Sequence, residues 1–93
     1  MNLNCELHIM SSGNNQKYRV YFDNELILEK ELSPVIVDNV KFSVDVESGT
    51  HQIKLEKLLD YDLHILKLKI DEEIIHNHDE TLTHDVRTYI INT

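Results

Sequence analysis

With 93 residues and a formal net charge of −8, the chain has room for one domain, and its charge repels phosphate, which counts against direct binding of DNA or RNA. Apolar residues make up 41% of it and charged residues 28%, an ordinary soluble balance, but alanine and tryptophan are absent. The single cysteine, Cys5, excludes an intrachain disulfide; no apolar run approaches the ~18 residues of a membrane span, and Met1-Asn2-Leu3-Asn4 lacks the basic flank of a signal peptide.

Leu3 to Met10 alternates apolar and polar residues and predicts a first strand with Leu3, Cys5, Leu7 and Ile9 inward. Ser11 to Gln16 is a polar loop. Tyr18, Val20 and Phe22 mark the inward face of a second strand, with Arg19 and Tyr21 outward. Asp23-Asn24-Glu25 is a turn, since Asn tolerates the positive φ of tight hairpins. Leu26 to Leu32 follows as a third strand, with Leu26, Leu28 and Leu32 inward and Glu29 and Glu31 outward. Ser33-Pro34 ends it, because proline cannot donate to a ladder. Val35-Ile36-Val37 is a short apolar run before the Asp38-Asn39 turn.

Val40, Phe42, Val44 and Val46 then alternate with polar residues. Ser48-Gly49 interrupts the pattern, and Ile53 and Leu55 resume it. This predicts a β-hairpin folded at the glycine, with one buried and one wet face. From Leu55 to Ile70 two readings compete. Leu55, Leu58, Leu59, Leu63, Leu66 and Ile70 fit the stripe of an amphipathic helix. Leu66, Leu68 and Ile70 alternating with Lys67 and Lys69 after an Asp60-Tyr61-Asp62 turn fit strand, turn, strand, and the alternation favours strands. Ile70-Asp71-Glu72-Glu73-Ile74-Ile75 also echoes Phe22-Asp23-Asn24-Glu25-Leu26-Ile27, as two similar hairpins would. Val86 to Ile91 is the last strand. About seven to nine short strands with frequent turns predict an all-β fold: a single antiparallel β-sandwich over residues 1–93, jelly-roll or Ig-like.

Histidine is the only reactive residue present in quantity. His76 and His78 point the same way in extended chain, and with His84 or a carboxylate they offer a zinc-type ligand set. The spacing matches no established zinc signature, so the expectation is an exposed polar loop without metal. His51 shares parity with Ile53 and Leu55, which puts it at the core rim bonded to nearby backbone; His64 shares parity with Leu66 and Leu68 and is read the same way. His8 belongs to the wet face.

There is no G-x-S-x-G elbow, no P-loop and no G-x-G-x-x-G, and the acidic pairs Asp60/Asp62 and Asp71/Glu73 lie on turns. The expectation is therefore a non-enzyme without a cofactor. Tyr21, Tyr61 and Tyr89 are the candidate ligand or interface residues, as partly exposed tyrosines.

Tyr18 to Ile27 (YRVYFDNELI) and Ser48 to Leu55 (SGTHQIKL) together resemble small jelly-roll modules of the carbohydrate-binding-module type. They also resemble small Ig-like or jelly-roll virion accessory proteins of tailed phages. The absence of alanine and the wealth of Asn, Ile and Lys fit an AT-rich genome, as many phages have. The resemblance implies a structural protein that works through protein contacts, with a protein partner or a second copy; the lack of a recognisable signal peptide or membrane span leads to the expectation of a virion or the cytoplasm. A glycan-binding module is the alternative, although no tryptophan supplies a sugar platform. A third possibility is an acidic inhibitor of a nucleic-acid enzyme, against which the even spread of Asp and Glu counts.

Overall fold

The computed structural model describes residues 1–82 and 84–93, which form nine β-strands and no helix. They are β1 (Asn2–Met10), β2 (Gln16–Phe22), β3 (Glu25–Leu32), β4 (Asp38–Asp45), β5 (Thr50–Lys57), β6 (His64–Ile70), β7 (Glu73–His76), β8 (Glu80–Thr81) and β9 (Val86–Asn92). One sheet runs β4-β1-β6-β7, with β8 also on β6; the other runs β3-β2-β5-β9. All strand pairs are antiparallel. The apolar inner faces enclose one core, with Leu7, Ile9, Tyr18, Val20, Ile53, Leu55, Leu63, Ile65 and Leu68 fully buried. Residues 55–70 are strand, loop, strand, so the helical reading falls.

The Val40–Leu55 segment is not a hairpin. Its alternation is real, with Val40, Val44, Ile53 and Leu55 buried, but β4 pairs with β1 and β5 pairs with β2 and β9, in opposite sheets. Residues 46–49 carry the chain across the sandwich. Both chain ends hold this crossing: Val46 N donates to Met1 O at 2.7 Å, and Thr93 N donates to Gly49 O at 2.9 Å. Gly49 sits at φ +142°, open to glycine and unfavourable for other residues. Alternation reports which face a residue takes; it carries no information about which strand lies alongside.

Two bulges revise the inward faces. The β2/β3 ladder shifts between Val20 and Tyr21, so Ile27 and Leu28 are partly buried, whereas Leu26 is exposed, contrary to expectation. The β1/β6 ladder shifts between His8 and Ile9, leaving Leu66 as the extra residue. Leu63 and Ile65 therefore face the core before the bulge, and Leu68 and Ile70 after it. His64 consequently turns outward, away from Leu68, and meets Asp79 at 3.0 Å.

The two hairpins that do form are the echoed ones. Asp23 and Asn24 have φ of 48° and 66°, and Asp71 and Glu72 have 47° and 69°, which is a type I′ turn in each case. The equivalence extends well beyond the turns. Asp23 N donates to Gln52 O and Gln52 N to Asp23 Oδ1; Asp71 N donates to Asn4 O and Asn4 N to Asp71 Oδ1. The bulge recurs too, since Val20 and Tyr21 face Leu28 and Leu26 just as Leu68 and Lys69 face His76 and Ile74. Across the sheets, Ile53 pairs with Phe22 as Cys5 pairs with Ile70, and Leu55 with Val20 as Leu7 with Leu68. Every one of these correspondences links residues 48 positions apart. The sandwich is thus a pseudo-two-fold pair of halves, β1–β4 and β5–β9, each lending its hairpin to the other half's sheet.

Candidate functional site

Three places gather polar or exposed groups that the core does not explain. The first joins β7, β8 and β9. His76 is 5% exposed, and its Nε2 lies 2.8 Å from His78 O and 3.2 Å from Ile65 O. Carbonyls only accept, so Nε2 carries the proton, and Nδ1 accepts the Tyr89 hydroxyl at 3.2 Å. Both ring nitrogens of the imidazole are engaged. The His78 ring packs 4.1 Å from it, and Glu80 is held by Arg87 Nε at 2.8 Å. Burial, opposed by Arg87 and aided by Glu80, pushes the Tyr89 hydroxyl up to about 12.

One ligand atom each of His76, His78 and Glu80 lie within 4.8 Å of one another, so the structure brings together two of the candidate histidines and a carboxylate. Glu80 replaces His84, which is exposed and outside the group. The expectation of an exposed loop fails at His76, because it closes the core beneath Tyr89. Its chemistry favours pinning over ligation. A metal taking His76 would have to displace either the Tyr89 hydroxyl from Nδ1 or the two carbonyls from Nε2, although Glu80 keeps Oε1 free of Arg87.

The second place is the Asp23 turn. His51 Nδ1 lies 2.5 Å from Asp23 Oδ2, and Nε2 lies 2.6 Å from Glu47 O. Both partners are acceptors, so both ring nitrogens must be protonated and His51 is an imidazolium. The hydrogen bond to Asp23, then that to the Glu47 carbonyl, raises its pKa; the same bond and the Gln52 amide lower that of Asp23. The ring also stacks on Phe22 at 5.5 Å. This is the rim position expected of His51, with a carboxylate partner that parity could not reveal. With Nε2 occupied by a carbonyl, the pair offers no base to a nucleophile. Nor is Cys5 one: burial, with Asp71 adding to it, pushes its thiol up to about 11, leaving it neutral at ordinary pH.

The third place is the end of the sandwich carrying the loops 11–15, 33–37 and 58–63. Val35 and Ile36 are 71% and 61% exposed, Val37 is exposed next to them in sequence, and Leu59 and Tyr61 are exposed in the 58–63 loop. Val35 has φ +63°, a costly conformation for a β-branched residue, held by its N–H on Ser11 O at 2.8 Å. The 59–61 loop is held by Gln16, which is wholly buried. Its Nε2 donates to Tyr61 O at 2.7 Å and Leu59 O at 3.1 Å, and its Oε1 accepts from Leu59 N at 2.9 Å. The sequence places Gln16 in a polar loop, and its parity with Tyr18 is the one signal of its burial.

The three tyrosines therefore part company. Tyr61 is exposed on this end. Tyr21 is half-buried on the outer face, donating to Glu56 at 3.1 Å beneath the Lys54 ammonium. Tyr89 is buried, contrary to the partial exposure expected of it, because it shares the inward face of β9 with Ile91. Comparison with protein-family models, with characterised proteins and with solved structures found no match to this chain.

Proposed function

We propose that this chain is a non-catalytic interaction protein whose loop end docks on a protein partner, in the role of a tailed-phage virion accessory. The observation that carries this reading is the Val35-Ile36-Val37 run, three exposed apolar residues in a row with strained backbone at the first. Solvent gives no reason to hold valine at positive φ, and loops on a rigid scaffold are where proteins commonly place recognition. Leu59 and Tyr61 extend the apolar character of the same end. The resemblance to small phage modules supplies the setting, and a net charge of −8 favours a basic partner surface. The test is proteomics of purified particles from the source, followed by crosslinking from position 36. The chain is expected in the particles, and Ile36→Asp should weaken its retention about tenfold or more. A chain absent from the particles, or retained equally well by the variant, overturns the reading.

A glycan-binding role draws support from one feature. A polar trough of about 340 Å³ on the outer face of β4-β1-β6 is lined by Asn4, Glu6, Lys41, Ser43, Lys69 and Glu72, together with the core-facing pair Cys5 and Phe42. Retention on a glycan array that is lost in Asn4→Ala would favour this alternative; no retained glycan would remove it.

A further inference from the structure

Apart from β8, which is only two residues long and carries Glu80, the edge strands of the sandwich are β4 and β7 in one sheet and β3 and β9 in the other. Three are blunted in ways that discourage pairing. β3 carries Glu25, Glu29, Lys30 and Glu31 and a bulge; β7 has four residues and a bulge; β4 carries Asp38, Lys41 and Asp45. β9 differs from all of them. Its ladder to β5 runs without a shift from Glu56↔Val86 to Thr50↔Asn92, and it contains no proline and no acidic residue.

The hydrogen-bond phase of this ladder shows what the open side presents. Lys57 N donates to Asp85 O, and Gly49 and Thr93 bond reciprocally, so the odd-numbered residues of β9 face β5. Val86, Thr88, Ile90 and Asn92 turn their N–H and C=O groups to the open edge and their side chains to the outer face. Among the described residues, the only cover on these groups is Arg87 Nη1, 2.7 Å from Thr88 O. That carbonyl keeps a second lone pair. Ile90 is 57% exposed in the middle of the open stretch.

We propose that β9 pairs antiparallel with β9 of a second copy of this chain, centred on Ile90, joining two four-stranded sheets into one of eight strands. In this register Ile90 lies opposite its own copy, and Thr88 lies opposite Asn92. Charge decides the choice of partner strand. Each copy carries −8, so self-association through β3, β4 or β7 would bring carboxylates together; of the edges, β9 alone meets itself without an acidic side chain. The loop end plays no part in this contact.

Sedimentation velocity of the full chain at about 100 μM tests it. The wild type should be dimeric, and more so as NaCl rises from about 50 to 300 mM, because salt screens the repulsion between the two copies. Ile90→Pro removes an N–H that β5 does not use, so it should yield a monomer that melts as the wild type does at concentrations too low for dimerisation. If the proline variant does not fold, Ile90→Lys gives the same reading by placing like charges face to face. Ile36→Asp should remain dimeric. A wild type that is monomeric at every salt concentration overturns the proposal. So does a dimer that survives at Ile90→Lys, or one that is lost at Ile36→Asp, which would assign self-association to the loop end.

Discussion

The halves β1–β4 and β5–β9 share turns, bulges and register, yet they differ where one half needs a polar group. Leu3 corresponds to His51 and Leu28 to His76, so histidine in the second half stands where leucine packs in the first. Both histidines are tied down, one to Asp23 and the Glu47 carbonyl, the other to Tyr89 and two carbonyls. The edges differ as well: β4 is charged, and its counterpart β9 carries no acidic residue. The comparison teaches that the repeated pattern is a scaffold, and that individuality lies in the substitutions and edges laid over it.

The strongest way to break the comparison is at its centre. Leu7 and Leu55 are equivalent and both wholly buried. Leu7→Ala and Leu55→Ala should each cost about 2–5 kcal/mol in urea unfolding. Costs that differ by more than about 2 kcal/mol would show that the halves are not energetically alike.

Next in size is His76→Leu, which restores the first half's residue type. It orphans the Tyr89 hydroxyl and leaves two carbonyls without their donor, so a loss of about 1–3 kcal/mol is expected despite the gain in apolar character. Calorimetric titration with Zn²⁺ sharpens the same site. Because both ring nitrogens are engaged, no micromolar binding is expected, and micromolar binding abolished by His76→Ala would reverse the assignment of His76 as a pin.

A smaller contrast separates the turns. Asp23→Ala and Asp71→Ala each remove a side-chain acceptor for a neighbouring amide, worth about 0.5–1.5 kcal/mol. Asp23→Ala also strips His51 of its carboxylate and should be the more damaging of the two; the reverse order in thermal melts would contradict the clamp.

The smallest effect is its pH dependence. His51 has a raised pKa in the folded chain, so its contribution is complete below the unfolded value of about 6.5 and is lost as pH climbs through the folded one. Asp23, with a lowered pKa, contributes above its unfolded value and loses that contribution as pH falls through its folded one. The clamp is therefore whole between the Asp23 and His51 titrations. Melting temperatures of wild type should fall relative to His51→Gln as pH rises through the alkaline limit of that window. Parallel curves on that side would remove the imidazolium from the account.

Most of the local structure was legible. Period-two alternation placed Leu3, Cys5, Leu7, Ile9, Tyr18, Val20 and Phe22 inward correctly, because facing depends only on a residue's position along its own strand. The Asp-turn echo identified both hairpins, because a two-residue turn makes neighbours of the strands it joins. Bulges were invisible, since an extra residue leaves no composition signal, and Leu26, His64 and Leu66 were misplaced as a result. The partner of His51 was also out of reach, because Asp23 lies 28 residues away in sequence.

The sequence by itself determined an all-β chain, the two echoed hairpins and the inward face of most strands, all of which follow from local backbone geometry. Tertiary structure alone decided that Val40–Val46 and Ile53–Leu55 belong to different sheets, which histidines are pinned, and which edge is left open. Those outcomes depend on which distant strands bury each other's apolar faces, and any strand with the right alternation satisfies the local pattern equally well.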